Sequence, residues 1–159
     1  MLKLTQLVPR PAVINPLQSE DRDGAISELV NALIAAGAAP ESSRDDLLKR
    51  ILERERKGST GFGKGVAVPH VKHRGVTSMA AAVGLSPRGI DFRAIDKRPV
   101  MHVFLLLSPE DRPEEHLQAM EVIFKNLSKE SFRRGLVQAR TADDVWGLLE
   151  EADGHTLSG

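Results

Sequence analysis

Val100-Met101-His102-Val103-Phe104-Leu105-Leu106-Leu107 is almost continuously apolar and is bounded by Pro99 and Pro109. With apolar residues at both alternating positions, neither face suits water, so the run reads as a strand buried on both sides near the centre of a sheet. On its amino-terminal side, residues 79–85 read as a second strand despite their alanines, and Val66-Ala67-Val68 as a short one stopped by Pro69. Amphipathic helices flank these strands. Asp21 or Asp23 caps one that carries Ile26, Leu29, Val30, Leu33 and Ile34 at helical spacing and stops at Gly37. Ser43 caps a second through Leu47, Leu48, Ile51 and Leu52, ending near Gly58. A third spans 114–127 with Leu117, Met120, Phe124 and Leu127 on one face, and shorter helices follow over 132–139 and 143–151. Strands enclosed by helices at both ends of the chain imply a layered α/β domain.

The chain has 159 residues, of which 41% are hydrophobic. One core suffices, because a chain of this size buries roughly 68–70% of the surface its unfolded form exposes. The 22 Lys and Arg residues balance 22 Asp and Glu without forming a basic stripe, which argues against nucleic acid or an anionic membrane as partner. The absence of cysteine excludes disulfides, zinc thiolates and thiol nucleophiles, leaving His, Ser, Thr and carboxylates to react. No stretch approaches the ~20 apolar residues of a membrane span, and the amino terminus lacks the apolar run of a signal peptide. The expectation is a soluble, unexported, cytoplasmic protein.

Gly58-Ser59-Thr60-Gly61-Phe62-Gly63-Lys64 satisfies G-x-x-x-x-G-K, the opening of the phosphate-binding loop of nucleotide hydrolases. The match then breaks. Gly65 stands where a magnesium-holding Ser or Thr is required, and Val-Ala-Val-Pro follows instead of a helix. What remains is a glycine-rich turn that can set backbone N–H groups, with the hydroxyls of Ser59 and Thr60, beside a phosphate.

Of the five histidines, His70 has the most suggestive setting. Pro69 cannot donate to a β-ladder, so the strand ends there and delivers His70 to the surface at its carboxyl end, where reacting groups concentrate in open α/β sheets. His102 lies in the buried strand and reads as a satisfied core histidine. His155 falls in a frayed carboxyl-terminal stretch. His70 and His73 form H-x-x-H, but without a helix, cysteines or a nearby carboxylate the spacing is weak support for a metal, and neither metal nor cofactor is expected.

The run from Arg54 to His70, Arg-Glu-Arg-Lys-Gly-Ser-Thr-Gly-Phe-Gly-Lys-Gly-Val-Ala-Val-Pro-His, resembles the signature of type 2 enzyme IIA domains. These are the fructose, mannitol and nitrogen-regulatory class of the phosphoenolpyruvate-dependent phosphotransferase system. The likeness extends from the first helix to about Glu151 and continues in Ile90-Asp91-Phe92, in Pro99-Val100 with the buried strand, and in His116-Leu117. It implies one α/β domain over 1–153, with a central mixed β-sheet flanked by helices on both faces, and a flexible tail over 154–159. It also implies that His70 accepts a phosphoryl group from the carrier HPr, or from a nitrogen-type HPr paralogue, and passes it to a IIB protein. Arg54 and His116 are the other catalytic-site residues it implies. In the alternative reading, a regulatory target protein replaces IIB, and the phosphorylation state controls binding. The family usually has a small residue after Pro-His, whereas this chain has the bulkier Val71, which bears on which partner docks.

The residue types suit that chemistry. Neutral imidazole is a nucleophile, and an unperturbed histidine, with a pKa of about 6.5, is mostly neutral at cytoplasmic pH. Arg54 offers a planar fork to two phosphoryl oxygens, although it also reads as a solvated helix residue among Glu53, Glu55 and Arg56. His116 follows Pro113-Glu114-Glu115 in a first helical turn, where the dipole disfavours an imidazolium; its other reading is a boundary residue beside Leu117. A metal-dependent hydrolase built on His70, His73 and Asp91 is the remaining enzymatic alternative.

Overall fold

The computed structural model describes residues 2–158, with side chains described through Gly154. Among these residues, six strands form one sheet: β1 (Val13–Ile14), β2 (Gly61–Gly63), β3 (Val66–Ala67), β4 (His70–His73), β5 (Ala80–Ile90) and β6 (Val100–Pro109). The helices are α1 (Leu4–Leu7), α2 (Arg22–Ala35), α3 (Arg44–Lys57), α4 (Pro113–Leu127), α5 (Glu130–Gln138) and α6 (Ala142–Ser158). Strand order is β1-β5-β6-β3-β2, and β4 pairs with β6 as well.

The apolar run that opened the sequence reading is β6, and it is the hub of the sheet. It lies antiparallel to β5 and parallel to both β3 and β4, so the sheet is mixed. Because side chains alternate along a strand, Val103, Leu105 and Leu107 join the core beneath α2 and α3. Phe104 and Leu106 join the opposite core, with residues of α1, α4, α5 and α6. Helices therefore cover both faces. No helix among the described residues is long and apolar enough to cross a membrane.

Local chemistry explains the element ends. The Asp21 carboxylate accepts the Gly24 N–H at 2.6 Å and starts α2, while Gly37, at φ 91°, ends it. Ser43 stands before α3 but makes no capping bond; a 3-10 turn over Glu41–Ser43 leads into the helix instead. The backbone of α6 continues as helix from 154 to Ser158, and the side chain of His155 lies outside the described residues.

Three features differ from the sequence reading. The glycine-rich segment is partly strand: β2 pairs antiparallel with β3 around a turn at Lys64 and Gly65, whose φ angles are 59° and 77°. On α4, Leu117 and Phe124 are exposed (62% and 38%), whereas His116, Ala119, Ile123 and Leu127 turn inward. The third concerns the sheet edge. β3 stops at Ala67 and β4 resumes at His70 on the same neighbour, with the Pro69 carbonyl accepting Leu106 N–H at 2.9 Å across the break. His70 is therefore the first residue of a new strand and half-buried, not a residue released beyond a strand end.

Candidate active site

His70 opens β4 with its ring fixed by the main chain. Nδ1 lies 2.8 Å from the Val68 carbonyl oxygen, and a carbonyl can only accept, so Nδ1 carries the proton. In the neutral ring this leaves the lone pair on Nε2. His116, in the first turn of α4, brings its ring to 5.6 Å from that of His70, centroid to centroid, at an interplanar angle of 49°. Its Nδ1 is 2.6 Å from the hydroxyl of Ser108, the penultimate residue of β6. The strand that centres the sheet thus also fixes the second ring.

The electrostatics favour the neutral form of His116. Burial lowers its pKa first, and His70 and Lys72 lower it further. Burial, rather than the helix dipole, leads this shift toward the neutral form. Lys72 follows His70 by two positions in β4 and so shares its face of the strand.

Arg54 is not joined to either histidine by a hydrogen bond. Its Nη1 donates to the Gly58 carbonyl at 2.6 Å, which closes the carboxyl end of α3 and leaves the side chain exposed. Ser59 and Thr60 shape the same turn from within. The Ser59 hydroxyl oxygen accepts Gly61 N–H at 2.9 Å, while Thr60 donates both its N–H, at 3.2 Å, and its hydroxyl to the Glu55 carboxylate. Glu55 is only 3% exposed. Both Thr60 donors are therefore taken up inside the protein.

The H-x-x-H pair does not converge on a metal. Three positions apart on a strand, the two side chains point to opposite faces, and His73 turns toward α3. Its Nε2 is 2.5 Å from the Asp46 carboxylate and its Nδ1 accepts Gly75 N–H at 2.8 Å, so both ring nitrogens are engaged. Asp91 accepts Arg93 N–H in the loop after β5. His102 is buried at 4% exposure, its Nδ1 makes no well-formed hydrogen bond among the described residues, and burial pushes its pKa down to about 4 against an opposing interaction with the Met101 backbone. It is a core histidine, as read from the sequence, yet not a satisfied one.

Sequence reasoning missed Glu55, Lys72 and Ser108. Glu55 sits among charged neighbours and reads as a solvated helix end. Ser108 had one available signal, a hydroxyl ending an apolar strand, but its partner lies on another element.

The family described as "Phosphoenolpyruvate-dependent sugar phosphotransferase system, EIIA 2" matches residues 7–152. A nitrogen regulatory protein of Pseudomonas aeruginosa is 34% identical over 94% of this chain and 96% of its own length. The fructose-specific EIIABC component of Bacillus subtilis is 30% identical over 96% of the chain, which spans only 24% of that protein. Among solved structures, the nitrogen regulatory protein IIA-Ntr of Neisseria meningitidis superposes with a TM-score of 0.79 at 29% identity, covering 91% of this chain and 97% of that one. A mixed sheet covered by helices on both faces, two adjoining histidines, and a match across nearly the whole length lead to one conclusion: the chain belongs to the type 2 EIIA family of the phosphoenolpyruvate-dependent sugar phosphotransferase system.

Proposed function

We propose that the chain is a cytoplasmic phosphocarrier in which His70 accepts a phosphoryl group from an HPr-type phosphohistidine and passes it to a IIB protein. The observation that carries this reading is the Val68 carbonyl on His70 Nδ1, which leaves Nε2 as the nucleophilic nitrogen. The Nε2 lone pair attacks phosphorus as the donor's P–N bond breaks. No proton has to leave the nucleophile, because Nε2 carries none. The ring becomes cationic in transfer, and the Val68 carbonyl is well placed to stabilise its Nδ1–H.

His116 then acts as a hydrogen-bonding neighbour, Lys72 and Arg54 supply positive charge, and Ser59 and Thr60 order the turn beside them. Exposed Leu117 and Phe124, with the Phe62 ring tilted against that of Phe124 at 5.0 Å between centroids, offer an apolar surface next to His116 suited to a protein partner. In this sense the domain over 1–153 works as a phosphotransferase that needs neither metal nor nucleotide. The test is incubation with phosphoenolpyruvate, enzyme I and candidate carriers, read by intact mass. Labelling that is acid-labile, base-stable and lost in His70→Ala supports the relay, whereas label on Ser59 or Thr60 overturns it.

The likeness to the Pseudomonas aeruginosa nitrogen regulatory protein along nearly its whole length favours a second reading, in which phosphorylation of His70 switches binding to a regulatory target protein. The same assay separates the two. Preference for a nitrogen-type carrier, with no onward transfer to any IIB protein, selects the regulatory role.

A further inference from the structure

We propose that Ser108 sets the tautomer of His116, so that His116 presents an N–H at Nε2 to the phosphoryl group. This rests on the reading of His70 as the phosphoacceptor and assigns a positioning residue to that site.

Ser108 is wholly buried (0% exposed) and lies in register with Lys72 of β4. It shares the face of β6 that carries Phe104 and Leu106, the face toward α4. Its hydroxyl lies 2.6 Å from His116 Nδ1, and it makes no other side-chain hydrogen bond among the described residues. A hydroxyl can donate or accept, but the buried Ser108 hydroxyl hydrogen has no other acceptor among the described residues, so it points to His116 Nδ1 and the one proton of the neutral imidazole goes to Nε2. If Nδ1 donates to the Ser108 oxygen, Nε2 is left with a lone pair, which repels the anionic oxygens of a phosphoryl group. If the Ser108 hydroxyl donates to Nδ1, the imidazole proton sits on Nε2 and can be donated to those oxygens.

An imidazolium would donate at both nitrogens and make Ser108 irrelevant to the choice. Burial, the neighbouring His70 and the Lys72 charge all oppose that form. The two rings then hold opposite tautomers. His70 keeps its proton on Nδ1, anchored by the Val68 carbonyl, with Nε2 free to attack; His116 is anchored through Nδ1 by a donor and carries its proton on Nε2. One ring supplies the nucleophile and the other the hydrogen bond that holds what the nucleophile has caught.

The experiment is long-range 1H–15N correlation on uniformly 15N-labelled, unphosphorylated full chain, joined to single-turnover transfer from the phosphorylated protein to its acceptor. In the parent, His116 should show a protonated Nε2 and an unprotonated Nδ1. Ser108→Ala should mix the His116 tautomers and slow onward transfer about tenfold, the worth of one hydrogen bond. Ser108→Thr, which keeps the hydroxyl, should restore both the tautomer and the rate. A parent spectrum with the proton on His116 Nδ1, or a Ser108→Ala protein with unchanged tautomer and rate, overturns the proposal. The parent spectrum decides even if a variant fails to fold. Failure of the underlying reading looks different: the parent protein would take no label on His70, whatever the tautomer of His116.

Discussion

The Val68 carbonyl and His70 Nδ1 stand 2.8 Å apart, a main-chain acceptor fixing the proton of a side-chain ring two residues later. The phosphoryl group should therefore reside on Nε2. In phosphorylated protein, 31P–15N coupling should locate the bond at that nitrogen. His70→Ala should take no label, whereas Ser59→Ala and Thr60→Ala should still be labelled.

Replacing His116 should separate acceptance from donation. His116→Ala should fold and still accept a phosphoryl group, but donate it roughly a hundredfold more slowly, as when a preorganised donor is removed from a transition state. Quenched-flow measurement of both half-reactions checks this. Equal slowing of the two would point to a disturbed His70 instead.

Lys72 and Arg54 should respond in distinct ways. The Lys72 charge lowers the His116 pKa, so in Lys72→Gln the His116 ring should titrate at higher pH than in the parent, as read by NMR. Arg54→Lys keeps the charge but loses the planar fork, so transfer should slow while some activity remains.

Glu55 holds the turn that follows α3 through two bonds from Thr60. Removing a buried acceptor leaves the Thr60 donors unmatched, and Glu55→Ala should lower unfolding stability by about 1–3 kcal/mol in urea titration. A surface glutamate would give a change within about 0.5 kcal/mol.

His102 makes stability depend on pH. Its folded-state pKa, pushed down by burial to about 4, lies below the ordinary histidine value of 6.5, so the unfolded chain binds the extra proton first. The contribution is fully present above pH 6.5 and is lost as pH falls toward 4, where the loss amounts to about 3 kcal/mol. His102→Leu should flatten this part of the stability profile and, by removing a buried nitrogen without a well-formed hydrogen bond, raise stability at pH 5.

Much of the fold was legible because β6, α2 and α3 announce themselves through apolar periodicity and end signals. The β2 hairpin was not, since glycine is depleted in strands and Gly61 and Gly63 read as loop. Nor was the inward stripe of α4: Leu117 and Phe124 match a core pattern, yet the helix is rotated to bury His116. At the site, His70 and His116 were readable as candidates and the structure brings them together. Arg54 was also readable, but its bond to Gly58 depends on how α3 ends. Ser108 and Glu55 depend on contacts that burial creates, and a single sequence carries no direct record of burial for a polar residue.

The interruption between β3 and β4 gives the site a form of robustness. Every amino acid has a carbonyl, so no replacement of the Val68 side chain can delete the acceptor that orients His70. Sequence drift at 68 is filtered only by how the side chain packs. The sensitive position is its neighbour, because Pro69 brings a fixed φ and no amide hydrogen to the place where the ladder stops and starts again. Evolution can vary the wall around this histidine while the direction of its reactive nitrogen is inherited from the backbone.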